Sequence, residues 1–345
     1  MISLLVVNYR SCALAAEAIR SARAASLTPL QVVVVDNSCD EREAAALRRH
    51  CDVLIASPVN RGYAGAINDG RRRCDGEVIV VSNPDVIYGE RAIETLAGTL
   101  AGRITVAGPA LYWDESFRWI LPPSDRHAGL GEVDRILASR SDTWWRARDR
   151  RRIRQRLAFW SAAGPLHVRA ISGAVMAIRA DAFDRAGGFD ERFTLYFEEN
   201  DFLRRIDERG ESIAYVPAAH CQHLYNQSAS QESAKAGALY AESEAKYFAK
   251  WNGPLAARFL GKLRRPPGEH PAVPLRGALE VPAGHFVEIS PDSSFQVAAG
   301  YFPDGAGRLD LPPAAWDAFH GDRLYLRTIE RSTARVGTTY VRYKS

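Results

Sequence analysis

Short apolar runs recur along the first third of the chain, each closed by polar residues: ISLLVVN (2–8), LQVVVVDN (30–37), CDVLIAS (51–57) and EVIVVSN (77–83). Runs this rich in Val and Ile predict strands buried on both faces. Between them, residues 12–25, 40–50 and 64–74 are rich in Ala and Arg and read as helices. Strand, helix and strand at this spacing predict right-handed crossovers and a mostly parallel α/β sheet, in which ligands bind beyond the carboxyl ends of the strands. At those ends stand Asn8-Tyr9, Asp36-Asn37, Asn60-Arg61-Gly62 and Asn83-Pro84-Asp85.

Two further patterns follow. LYFEENDFLRRIDERG (195–210) places Phe202, Leu203 and Ile206 at helical spacing behind an acidic first turn of Glu198, Glu199 and Asp201. Such carboxylates complement the helix dipole, and Asp201 is also one turn from Arg204 and Arg205, with which it is expected to pair. WWRARDRRRIRQRLAFW (144–160) carries seven arginines against one aspartate, with Trp145, Ile153, Leu157 and Trp160 as a partial apolar stripe. Beyond RRPPGEHPAVP, a semi-rigid Pro-rich linker, the runs GHFVEIS, SFQVAAG, DRLYLRTIE and TTYVRY alternate as strands do.

Composition narrows the class. The chain has 345 residues, and its Lys and Arg exceed Asp and Glu by four, an ordinary balance for a globular protein and no sign of a nucleic-acid partner. Its five cysteines are scattered with no C-x-x-C pair, which speaks against a disulfide framework or a structural zinc site and fits a reducing cytosol. No run approaches the length of a membrane span, and MISLLVVNYRS reads as a first strand and not as a signal peptide.

The turn after the first strand, NYRSCAL, has no glycine, and a G-x-x-x-x-G-K-[ST] loop is missing too. Without a backbone cradle, the diphosphate of a nucleotide needs another counter-charge, such as a divalent cation held by a strand-end carboxylate. Asp85 is the natural candidate, although Asn83-Pro84-Asp85 also suits an ordinary turn.

The segments VVNYRS, VVVVDNS, NRGYAGAINDG, VSNPDV and ISGAVMAIRADAFDRAGGFDERFTLYFEENDFLRR, with the later His223, together resemble the family 2 inverting glycosyltransferases of GT-A fold, in their rhamnosyltransferase-like branch, over residues 1 to about 250. The resemblance implies a donor site in which Tyr9 stacks on a uracil or thymine ring, Asp36 accepts the base's imide N–H, and Asn60, Gly62 and Asn68 border the nucleotide. Packing or capping is the bland alternative for Tyr9 and Asn68, and an Asx turn for Asp36. The family's Asp-x-Asp element is here Asn83-Pro84-Asp85, so only Asp85 would bind Mg2+ or Mn2+ and the diphosphate, and the strictness of the metal requirement is open. Gly173 would let the sheet approach the donor. Glu199 matches the family's general base, with Glu in place of Asp. His223, followed by the small Ser228, would be a second metal ligand, a surface or core role being the alternative for it and for His220.

The implied reaction is inverting transfer of a sugar, rhamnose from dTDP-rhamnose being the best match, to a hydroxyl of a glycan or polyprenyl-linked glycolipid in cell-surface polysaccharide synthesis. The expected division is a GT-A domain over 1–262 (nucleotide-binding half 1–110, basic insertion 111–165, catalytic half 166–262), a linker over 263–274 and a small β domain over 275–345, with dimer contact, acceptor binding or plain stabilisation of the fold open for the last. The protein is expected in the cytoplasm, and the basic helix over 144–160 either makes peripheral membrane contact or is a solvated helix whose few apolar residues pack on the domain. A non-catalytic carbohydrate-binding protein on a transferase fold, or a sugar nucleotidyltransferase, are the competing readings.

Overall fold

The computed structural model describes residues 1–224, 233–265, 268–311, 315–316 and 321–344. Two compact units emerge, one of Met1–Leu111, Ser124–His127 and Ala163–Ala257, the other of Tyr112–Pro123, Ala128–Ala162 and Arg258–Ser345. Residues 128–162, with the basic helix, therefore group with the C-terminal strands and not with the segments that flank them in sequence.

The first unit opens with β1 (Ile2–Asn8), α1 (Cys12–Ala25), β2 (Leu30–Asp36), α2 (Glu41–Leu47), β3 (Val53–Ala56), α3 (Gly62–Arg71) and β4 (Val78–Ser82). The four strands lie side by side in the order β3-β2-β1-β4, all parallel, with Asn8 opposite Asp36 and Val6 opposite Ser82. Leu4, Leu5, Val6, Val33, Val34, Val80 and Val81 are wholly buried, as runs covered on both faces require. This register aligns the polar strand ends along one edge.

The sheet then turns antiparallel. Strand Val175–Arg179 pairs with β4, bringing Val175 opposite Ser82, and the long strand Ser212–His223 pairs with Val86–Tyr88, bringing His223 opposite Val86. Asn83 N–H donates to the Ala174 carbonyl at 2.8 Å and Leu224 N–H to the Asp85 carbonyl at 3.0 Å, so the chain on both sides of Pro84 is fastened to its neighbours.

The acidic helix Glu198–Glu208 buries Phe202, Leu203 and Ile206 in the core, where Phe202 meets Phe189 at 5.2 Å between centroids. Asp201, wholly buried, anchors it: Arg205 Nε and Trp251 Nε1 donate to its carboxylate at 2.9 Å each, and Lys250 Nζ lies 2.6 Å away. Arg204, the other expected partner, is directed elsewhere, over the Trp251 ring at 4.2 Å and toward Glu208 at 3.5 Å.

In the second unit, strands Val273–Pro274, Val336–Tyr343, Arg323–Glu330, His285–Ser290, Ala299–Tyr301 and Trp119–Ile120 neighbour one another in that order. The end of the Pro-rich stretch is thus itself a strand; Pro266 and Pro267 lie outside the described residues. The basic helix Asp142–Trp160 buries Asp149, Ile153, Arg156 and Trp160. Arg327, 1 % exposed, holds Asp149 through both terminal nitrogens at 2.7 and 2.8 Å and Glu288 through Nε at 2.8 Å, while Arg156 Nε lies 2.9 Å from Glu288. Trp145 stacks on His270 with centroids 3.6 Å apart. The apolar residues that a lipid-facing stripe would need are therefore largely occupied within the unit, with Trp144 exposed.

The Asp201 anchor sets the position of the acidic helix. Asp201→Ala removes the acceptor of the Trp251 indole N–H and one acceptor each of Arg205 and Lys250, which keep the Ala186 and Gly188 carbonyls and Asp190, and is expected to cost about 1–3 kcal/mol, as loss of a buried hydrogen-bond acceptor does. A urea-unfolding midpoint within error of the parent chain would refute this.

Candidate active site

At the nucleotide end, Asn8 joins β1 to β2: its Nδ2 donates to Asp36 Oδ1 at 2.8 Å and to Glu43 Oε2 at 3.0 Å. Asp36 also accepts from Ser38 N–H at 3.1 Å and Ser38 Oγ at 2.8 Å, so an Asx turn is present. Since a carboxylate offers about four lone-pair sites, Asp36 retains one on Oδ2. Tyr9 is half-buried under the Arg10 guanidinium, 5.4 Å from its ring centroid. Asn60 Oδ1 accepts from Gly62 N–H at 2.8 Å, and Asn37 Nδ2 donates to the Gly62 carbonyl at 2.9 Å. Gly62 has φ +70°, and a Cβ there would meet the Thr194 carbonyl at 2.7 Å, so only glycine lets α3 start against the loop that precedes the acidic helix.

Asn68 has a different place. Its Oδ1 accepts from Phe189 N–H and its Nδ2 donates to the Phe189 carbonyl, both at 2.9 Å, and Nδ2 reaches Glu191 at 3.0 Å. Both ends of the amide therefore clasp the turn at Gly187 and Gly188, which both have positive φ and lead into the acidic helix. The amide's hydrogen bonds are those of the packing role considered for Asn68.

Asp85 and His223 come together through the antiparallel pairing of their strands: His223 Nε2 lies 3.4 Å from Asp85 Oδ1, with the residues 8 % and 4 % exposed. His220, three residues earlier, is exposed. Among the described residues no group of three or more His, Cys, Asp or Glu is arranged to hold a metal ion, so any cation at this pair would complete its shell with ligand or water oxygens. Ser228 lies outside the described residues.

Glu199 reaches the same region by another route. A Cβ on Gly173 would lie 3.1 Å from Glu199 Cγ, and the next residue, Ala174, is the one hydrogen-bonded to Asn83. Tyr196 and Phe197, just before the helix, both have positive φ (68° and 69°), a costly conformation for side chains of this size, and one of the places where strain accompanies function. Asn200 Nδ2 donates to Glu199 Oε1 at 3.0 Å.

Burial raises the pKa of Glu199 above the ordinary carboxylate range, although backbone N–H groups at the helix start partly oppose it. Burial, and then the charge on Glu199, raise Glu198 well above that range, and its Oε2 has no hydrogen-bond partner among the described residues. Burial thus favours the protonated form of both carboxyls, and of Glu198 more strongly.

Tyr63, which the sequence reading passed over, is half-buried, with its hydroxyl oxygen shielded from solvent and without a hydrogen-bond partner among the described residues. Burial, then Glu198, Glu199, Tyr88 and Asp85, raise its pKa well above 10. One hydroxyl therefore feels both Asp85 and the Glu pair. The signal available in the sequence was its position directly after Gly62, in the first turn of a helix that starts at the strand ends.

A model of the glycosyltransferase like family 2 matches residues 1–238, more than half of the chain. The chain belongs to this family. It is a family 2 glycosyltransferase with the GT-A fold, as the resemblance implied. Among curated relatives, the N-acetylglucosaminyl-diphospho-decaprenol L-rhamnosyltransferase of Mycobacterium tuberculosis is 27 % identical over 264 residues, covering 68 % of this chain and 81 % of that one. Rhamnosyltransferase WbbL of Escherichia coli is 30 % identical over 79 residues, 23 % of this chain and 30 % of that one. Among solved structures, mannosyltransferase PcManGT from Pyrobaculum calidifontis, in complex with GDP-Man and Mn2+, aligns with TM-score 0.47 at 16 % identity, over 76 % of this chain and 73 % of that one.

The charge division within the glycosyltransferase's acidic pair can be tested. If Glu199 is the base, Glu199→Gln lowers kcat by about 10²–10⁴, whereas Glu198→Gln, which copies the protonated form that burial favours, keeps kcat within a few-fold. The base must lose its proton to act, and burial favours the protonated form, so kcat/KM should fall with falling pH at a point above the free Glu value of about 4.3. Equal losses in the two variants, or an acidic limb at the free value, would contradict the assignment.

Proposed function

We propose that this glycosyltransferase moves a sugar, best matched by rhamnose from dTDP-rhamnose, to a hydroxyl of a polyprenyl-diphosphate-linked glycan, with inversion at the anomeric carbon. The observation that carries the reading is the convergence of two carboxylates: Asp85 beside His223 at 3.4 Å, and Glu199 against Gly173, whose neighbour Ala174 is bonded to Asn83. The rhamnosyltransferase names of the relatives support the donor, and the decaprenol-linked acceptor named for the mycobacterial relative supports the acceptor class.

On this reading Tyr9 stacks on the base and the remaining Oδ2 lone pair of Asp36 takes its imide N–H, while Asn60, Gly62 and Asn83 line the nucleotide. Asp85 and His223 would hold a divalent cation, Mg2+ or Mn2+, which supplies positive charge opposite the departing diphosphate. Glu199 accepts the proton of the acceptor hydroxyl as that oxygen attacks the anomeric carbon and the bond to the diphosphate breaks on the opposite face. Gly173 keeps the space in front of Glu199 open. Among the described residues no helix is long and apolar enough to cross a membrane. A lipid-linked acceptor would be met by peripheral contact at a cytoplasmic membrane face.

The test is a thermal-shift panel of dTDP-, UDP- and GDP-linked sugars with and without Mn2+ or Mg2+. The matched donor with cation should stabilise the protein by about 2.7 kcal/mol at a hundredfold excess over its Kd. Asp85→Ala should remove the increment due to the cation. No shift with any nucleotide sugar would overturn the transfer reading, and an increment untouched by Asp85→Ala would overturn the cation assignment.

A further inference from the structure

The seven arginines of the helix Asp142–Trp160 divide by partner. Arg148 and Arg151 reach Asp134 at 3.0 and 2.6 Å, Arg152 donates to the Gln296 carbonyl at 2.7 Å, and Arg156 is buried against Glu288. Arg146, Arg150 and Arg154 remain. They are exposed, spaced by four residues, and have no carboxylate at ion-pair distance among the described residues. Residues four apart on a helix are neighbours, so these three form a row of like charges that repel one another. Such a row is stabilised when a counter-anion lies along it.

A groove follows this row. It has a volume of about 980 Å3 and is lined by the three arginines, by the Trp145 and His270 stack, and by Arg335 from the segment after Arg323–Glu330. The carboxylates on its wall are partly engaged: Asp149 is held by Arg327, Glu330 accepts from Ser332 and Thr333 at 3.2 and 2.6 Å, and the exposed Glu269 lies 3.8 Å from Arg323. Asp142 stands one turn before Arg146, so the arginine-rich part of the wall is its Arg150 and Arg154 end. The volume is that of a site for a whole small molecule and exceeds what a lone phosphate fills. Planar guanidinium groups in a row match the oxygens of phosphate and diphosphate.

We infer that this groove of the second unit is a binding site for a phosphorylated ligand of headgroup or nucleotide size, held by Arg150 and Arg154 with Arg146 and Arg335. The two sources of such a ligand are the headgroup of an anionic or diphosphate-bearing lipid and a soluble organophosphate. The inference does not depend on the donor, acceptor or base proposed for the first unit.

The experiment uses the full chain in EDTA, so that cation-dependent binding at Asp85 is silent, with two probes: inorganic pyrophosphate by calorimetry, and co-sedimentation with phosphatidylglycerol-containing vesicles against phosphatidylcholine alone. Arg150→Gln/Arg154→Gln should weaken whichever probe binds by about tenfold or more, the scale of one lost charge-assisted hydrogen bond. Arg151→Gln, the sequence neighbour facing Asp134, removes equal charge to Arg150→Gln and should leave binding near wild type, as should Asp85→Ala. Vesicle binding lost with the groove arginines identifies a lipid headgroup; pyrophosphate binding alone identifies a soluble phosphate. Equal losses in Arg150→Gln and Arg151→Gln, which would report net charge only, or no binding of either probe to a chain with an unaltered melting curve, overturn the proposal.

Discussion

A carboxylate can take a proton from a sugar hydroxyl near neutral pH only if its charged form is made somewhat costly, and that requires holding it away from water at a fixed place. On the transfer reading, the first unit would meet this through the helix that starts at Glu198. Two carboxyl groups are desolvated side by side, and burial raises both, the deeper Glu198 more strongly. The helix would be driven outward by this burial if nothing held it. Asp201, one turn on, is fixed by Arg205, Lys250 and Trp251, and Asn68 fastens the turn at Gly187 and Gly188 that delivers the chain to the helix. The stable part of the helix thereby fixes its costly end.

The second unit uses charge in the opposite sense. Arg327 and Arg156 are buried between Asp149 and Glu288, a four-residue cluster in which each charge has an opposite neighbour. Replacing the whole cluster with apolar side chains could cost little, whereas removing one member would strand the rest. Its effect is to specify which face of an arginine-rich helix turns inward. Once Asp149 and Arg156 are committed, the i, i+4 geometry places Arg146, Arg150 and Arg154 together along the margin of the buried face.

Much of the first unit could be read from its residues, because runs such as LLVV and VVVV are too apolar for anything but a doubly covered strand, and the polar residues ending them fall on one edge of a parallel sheet. The nearness of Asp85 to His223 could not be derived that way. It depends on antiparallel pairing between segments more than a hundred residues apart, and periodicity says nothing about partners at that distance. Asn68 and Tyr63 show the same limit at short range: both lie on α3, and the spacing alone does not say which faces the loop at Phe189 and which faces the carboxylates. The stripe on the basic helix shows only part of its inward face for another reason. Paired charges can be buried, and hydropathy alone does not mark Asp149 and Arg156 as lying inward with Ile153 and Trp160.

The departure at Asn83 gains meaning from what surrounds it. A carboxylate there would sit beside Asp85, and two like charges at a strand end would need a cation present to be tolerated when no ligand is bound. The backbone N–H of residue 83, independent of the side chain there, bonds Ala174 and fastens β4 to the strand that brings Gly173 up to Glu199, while a histidine stands at the position opposite Val86. On the transfer reading, a neutral imidazole adds a ligand without adding charge, so the cation's charge is balanced mainly by the donor's diphosphate. Cation affinity should then be low in the free protein and rise with the nucleotide, which couples cation retention to donor binding and cation release to departure of the nucleoside diphosphate.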